Sequence, residues 1–195
     1  MTLDPAVLAR LSVRIEVANY VRIISRVHAA TPLGMGPGRS RFSSPRNKFQ
    51  LLYLAQDPST AVAETIVRDR FETKAERLLL EEELDRYSIV AVRNPSPLFL
   101  LDLRNEGASL LGVSTDAVRA KAQTAGRRLS QSLYDQTAFD GIVYMSRITN
   151  RQCVAVYDRA VAPGLKADSP ALDLPRLAAL RVILEALHVT VVASP

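Results

Sequence analysis

Apolar positions along this chain recur with two periods, and the switches between them mark out its elements. Residues 51–55, LLYLA, form a short apolar run suited to a buried strand. Asp57 and Pro58 then supply an N-cap and a first helical residue. The helix they open offers Ala61, Val62, Ala63 and Ile66 as its apolar surface, with Glu64 among them. Residues 17–24, VANYVRII, are β-branched and partly alternating, which predicts a first strand with Arg22 on the face opposite Val21 and Ile23. Asp4-Pro5 opens a short helix to about Leu11. Residues 72–86 read as a helix with charges of both signs outside and Leu78, Leu79, Leu80 and Leu84 inside. Two strands, 88–92 and 98–103, flank Asn94-Pro95-Ser96-Pro97. Ser114 or Thr115 caps a long helix reaching about Thr137, with Val118, Ala122, Ala125, Leu129 and Leu133 at helical spacing. After Asp140-Gly141 the strands IVYMS and CVAVYD make a hairpin. Residues 160–172 read as irregular, 175–187 as an amphipathic helix and HVTVVAS as a last strand.

Strands and helices do not alternate regularly and no internal repeat is visible. The expected class is therefore α+β, a mixed or antiparallel sheet core with surrounding helices, not a doubly wound sheet. At 195 residues the chain fits one domain, with a core of about 17–160 and the terminal helix and helix–strand pieces as extensions. Apolar residues make up 48% and charged residues 23%, enough to bury a core. No run is apolar over the length of a membrane span, and the N-terminal segment lacks a signal-peptide core, so the expected location is cytoplasmic. One cysteine, Cys153, excludes an internal disulfide, and two histidines, His28 and His188, leave little for zinc, so no metal is expected.

The net charge of +5 comes from arginines spread along the chain. Their planar donor forks suit phosphate and carboxylate groups. Residues 31–45, TPLGMGPGRSRFSSP, form a loop rich in Gly, Pro and Ser that carries Arg39 and Arg41, where an anion could be met. GMGPG within it opens no helix of a strand–turn–helix unit, so it is a poor dinucleotide fingerprint. There is no GxSxG elbow, P-loop lysine or HExxH motif. What remains is a set of polar groups beside apolar strands: Arg22, Arg41, Tyr53, Glu64 and Ser146. Each has a plain structural alternative. Glu64 could sit on a solvated face, Tyr53 in the core, Arg22 against a carboxylate across the sheet, and Ser146 at a strand end. Cys153 reads as a small core residue, His28 and His188 as surface or packing residues.

In order, the pieces VRII (Arg22), GRSRFSSP (Arg41), LLYLAQDPSTAVAET (Tyr53, Glu64) and GIVYMSR (Ser146) resemble the RES domain, the toxin of many bacterial toxin–antitoxin pairs. They span residues 20–157 in the family's order, the family arginine falling on Arg22 or Arg41. One departure is SRFSSP, where many relatives carry a GRWN-type string. The resemblance implies a fold related to ADP-ribosyltransferases and cleavage of the nicotinamide–ribose bond of NAD+. It also implies transfer of ADP-ribose to a protein, phosphate or water, and a helix-turn-helix, Xre-like antitoxin that blocks the site. Nucleic acid would then be met only through that antitoxin. Under it, Glu64 would stabilise positive charge on the ribose, and Arg22 and Arg41 would hold the phosphates. Tyr53 would face the nicotinamide ring, and Ser146 would bond a phosphate, a ribose hydroxyl or the nicotinamide amide. Two other readings stay open at this stage. A nucleotide- or nucleic-acid-binding module predicts binding without turnover, and a DNA-binding role predicts steep salt dependence.

Overall fold

The computed structural model describes residues 3–36, 38–71, 74–113 and 123–193. Asp4 accepts from the Ala6 amide and opens α1, Pro5–Arg10, after which β1, Ser12–Ile15, begins the sheet. Then come β2, Val21–Ser25, and β3, Leu51–Ala55, separated by a loop whose described residues over 31–50 form neither strand nor α-helix. Asp57 caps α2, Pro58–Val62, through the Thr60 amide, and the helix widens into a π turn, Ala63–Val67, before α3, Arg68–Phe71. β4, Leu78–Leu80, and α4, Glu81–Leu84, precede the long β5, Tyr87–Arg93, and β6, Leu98–Asp102. After α5, Gly107–Leu110, and α6, Thr124–Gln136, the hairpin of β7, Gly141–Met145, and β8, Gln152–Tyr157, is followed by α7, Asp158–Gly164. β9, Lys166–Ala167, β10, Leu172–Asp173, α8, Leu180–Ala186, and β11, Thr190–Val192, complete the described chain.

The main sheet runs β1-β6-β7-β8-β3-β2-β5, and β10 and β9 share the far edge of β5. Every pairing in it is antiparallel except β6–β7. The class is thus the α+β mixed sheet expected. Period-2 alternation sends Leu52, Leu54, Val154 and Val156 to one face, packed with α7, and Ala55, Cys153, Ala155 and Tyr157 to the other, packed with α2, α6 and α8. β2 and β3 meet at a single pair, Val21 against Ala55, and splay apart beyond it.

Several expectations need correction. Residues 78–80 are not helical: β4 lies parallel to β11, with Leu79 fully buried and Leu78 48% exposed. Strand pairing at a distance overrides leucine's helix preference there. The first strand in the sheet is β1, and the stretch before Val21 turns at Asn19 with φ 69°. Residues 158–164 are helical despite Pro163, because α7 covers the second face of the sheet. The last helix begins at Leu180, after a 3₁₀ turn at Leu174–Arg176. In α6 the inner stripe is Gly126, Leu129, Ser130 and Leu133, while Ala125 is exposed. The expected start of that helix, including Val118 and Ala122, lies outside the described residues.

Candidate functional site

Two adjoining chambers open where β2 and β3 part. The larger, about 640 Å³, is lined by Arg39, Ser40, Arg41, Phe42, Tyr53, Glu64, Arg68, Asp69, Gln123, Tyr144 and Arg147. The smaller, about 210 Å³, is bounded by Arg22 and its neighbours on β2, by Tyr53 on β3, by Glu64 on the π turn and by Cys153 on β8. Ser40, Tyr53, Glu64, Arg68 and Tyr144 face both.

Glu64 stands at the junction. The π turn that carries it is a form found often at functional sites. Its Oε1 accepts from Ser146 Oγ at 2.7 Å, its Oε2 from Arg68 Nη1 at 3.2 Å, and its side chain is 19% exposed. Ser146 is 3% exposed, and its hydroxyl in turn accepts from the Ile148 and Thr149 amides, both at 3.2 Å. With those two amides occupying its lone pairs, the hydroxyl proton is left to point at the carboxylate. Thr149 also joins Thr60 at 2.9 Å, tying the β7–β8 turn to α2. Arg68 spans two acids, its Nε reaching Asp69 at 2.8 Å.

Tyr53 Oη lies 2.5 Å from Ser40 Oγ, which lies 2.6 Å from Ser43 Oγ. Burial raises the Tyr53 phenol above its usual range against the opposing effect of the Ser40 bond, so it stays neutral. Phe42, fully buried, packs edge-on against Tyr144 at 5.2 Å and anchors the loop. Burial also lowers Arg41, with Tyr144 and Glu64 countering it. Arg22 donates to the Gly34 carbonyl at 3.2 Å, and burial brings it down to about 10, still charged at neutral pH. No carboxylate lies within ion-pair distance of it among the described residues, so the cross-sheet partner does not occur.

The sequence-derived set therefore converges, with one division. Arg41, Tyr53 and Glu64 share the larger chamber, Ser146 supports Glu64 from behind, and Arg22 belongs to the smaller chamber alone. The two arginines thus serve different parts of the site. The family model for the RES domain matches residues 14–177. The chain belongs to the RES-domain family.

A relative, "Probable toxin y4kH" of Sinorhizobium fredii (strain NBRC 101917 / NGR234), is 36% identical over 94 residues, which are 47% of this chain and 73% of that protein. A chain of the M. tuberculosis MbcT–MbcA toxin–antitoxin complex superposes with a TM-score of 0.67 at 17% identity, over 97% of this chain and all of that one. At that identity the likeness is one of fold. Among the described residues no helix is long and apolar enough to cross a membrane, and no group of His, Cys, Asp or Glu gathers as metal ligands.

Within this RES domain, Arg68, Tyr144, Arg147 and Gln123 join the site without having been singled out from sequence. Arg68 had a signal, its i,i+4 spacing from Glu64, which is also the commonest spacing of surface pairs. Tyr144, two residues before Ser146, carried the alternation that puts both toward one face. Cys153 and the two exposed histidines stand as expected.

Proposed function

We propose that this RES domain is an NAD+-consuming toxin of a toxin–antitoxin pair that cleaves the nicotinamide–ribose bond and transfers ADP-ribose to an acceptor. The observation that carries the reading is Glu64, a carboxylate steadied by Ser146 and Arg68 at the floor of an arginine-rimmed chamber. A chamber of about 640 Å³ is of the size that holds a cofactor-sized ligand. In the reaction the C1′–N bond breaks, its electron pair leaves with nicotinamide, and an acceptor lone pair forms the new bond to C1′. Positive charge grows on the ribose between these events, and the Glu64 carboxylate is placed to stabilise it. Arg41 in the larger chamber and Arg22 in the smaller offer cations for the dinucleotide phosphates. Tyr53 offers a ring face and a neutral hydroxyl at the seam between the chambers. A curated relative called a probable toxin and a fold shared with a chain of a toxin–antitoxin complex support the same reading.

The partner proposed with it is an Xre-like helix-turn-helix antitoxin that covers the arginine rim with a carboxylate-bearing segment. Competition between that antitoxin and NAD+ is the expected behaviour, and simultaneous binding would sink it. The reaction itself is tested by nicotinamide release from wild type and Glu64→Gln, run with phosphate, without it, and with lysate as a source of protein acceptors. Wild-type turnover that falls roughly 10²–10³-fold in the variant, with affinity retained, is expected. The additive that stimulates release names the acceptor. Folded wild-type protein that binds NAD+ without releasing nicotinamide would overturn the enzyme reading in favour of a nucleotide-binding module.

A further inference from the structure

Helix α6 turns one polar stripe toward the loop that carries Ser40 and Arg41. Arg127, Gln131 and Asp135 are four residues apart and so lie one above the other on its surface. Arg127 Nε donates to the Ser40 carbonyl at 3.0 Å, and its Nη2 donates to Gln123 Oε1 at 2.7 Å. Gln131 Oε1 accepts from Ser44 Oγ at 2.6 Å, and Asp135 Oδ2 accepts from Arg46 Nη2 at 3.4 Å. Gln131 Nε2 also donates to Asp135 Oδ1 at 3.0 Å, linking neighbours of the stripe. The loop is thus gripped at residues 40, 44 and 46, on both sides of Arg41 and Phe42.

We propose that Arg127 is a positioning residue of the site, fixing Ser40 and through it the Tyr53 hydroxyl and the Arg41 backbone. The stripe of Arg127, Gln131 and Asp135 forms the clamp that shapes the loop for its ligand. This rests on the NAD+ reading of the same chambers. None of the three clamp side chains lines either chamber, whereas Ser40 lines both. Neither α-helix nor strand ladder shapes the described residues of 31–50, and a Gly-, Pro- and Ser-rich segment loses much chain entropy on ordering. Side-chain bonds from a rigid helix help offset that loss, together with the burial of Phe42. Among the described residues Arg127 donates to two neutral acceptors, the Ser40 carbonyl and Gln123 Oε1, so its removal displaces the loop without stripping a carboxylate of its charge partner there.

The test compares wild type, Arg127→Ala, Arg127→Lys and Glu64→Gln in three measurements: nicotinamide release, melting temperature, and trypsin cleavage after Arg39 and Arg41 followed by mass. Arg127→Ala is expected to raise the KM for NAD+ about tenfold with a smaller fall in kcat, at nearly unchanged melting temperature. Cleavage after Arg39 and Arg41 is expected to quicken about tenfold as the loop opens more often. Arg127→Lys, which can donate to Ser40 alone, recovers part of both effects, and ethylguanidinium restores Arg127→Ala but not Glu64→Gln. Wild-type KM and wild-type cleavage in Arg127→Ala would overturn the clamp. So would losses that merely follow a lowered melting temperature and ignore the lysine variant. Should wild type release no nicotinamide, the functional reading falls while the cleavage rates still decide the clamp.

Discussion

Cys153 reaches the smaller chamber from β8, yet burial first, and the Glu64 charge second, push its thiol up to about 12. It is protonated at neutral pH and so offers no thiolate nucleophile. The same shift has a stability consequence. The unfolded thiol titrates near 8.5, so between roughly pH 9 and 12 the unfolded state has lost a proton that the folded state keeps. The contribution is complete below that window and is lost as pH rises through it. Denaturant titrations of wild type should lose up to about 1.4 kcal/mol more per pH unit in this range than Cys153→Ala. Parallel curves would count against the buried, protonated thiol. The burial of Cys153 was legible in sequence because its neighbours on the strand are apolar. The company of Glu64 was less so. An inward acid can be read from helical spacing, but Ser146 reaches it across 82 positions, and nothing local in either segment announces that bond.

Elements whose pattern agrees with their pairing were legible, namely β3, β5, β6 and the β7–β8 hairpin. Those decided at long range were not. LLL at 78–80 became a strand because Thr190–Val192 lies alongside it, and SVRI at 12–15 because β6 offers it an edge. The π turn was equally silent, since its residues are those of an ordinary helix. The hairpin that delivers Ser146 depends on Gly141, where a Cβ would lie 2.1 Å from the Ala155 carbonyl oxygen. That clash is with backbone in the β7–β8 ladder, so no side chain can swing aside to relieve it. Gly141→Ala is therefore expected to destabilise the fold by about 3 kcal/mol, read as a shift in denaturation midpoint. An unchanged midpoint would show that the ladder yields at this register. Arg159 shows the converse economy, one side chain serving the Tyr134, Thr137 and Phe139 carbonyls at 3.0, 2.9 and 2.5 Å and so closing the end of α6.

At the scale of the molecule, the mixed sheet with helices on its faces was legible from the order of elements, while its strand order was not, because non-consecutive neighbours such as β3 and β8 leave no local trace. The lone ladder pair of Val21 with Ala55 has a mechanical meaning. It divides the sheet into two plates, β1-β6-β7-β8-β3 on one side and β2-β5 with β9 and β10 on the other, joined between β2 and β3 as if by one rivet. Amides on the parted edges should exchange with solvent sooner than those inside either plate. A dinucleotide lying across the parting would act as a splint, slowing exchange along Arg22–Ile24 and Leu52–Leu54 together and raising the melting temperature with its concentration. Exchange that slows on one plate only would mean the ligand rests on a single half. If both slow, the molecule gains its full stiffness only while the dinucleotide is bound.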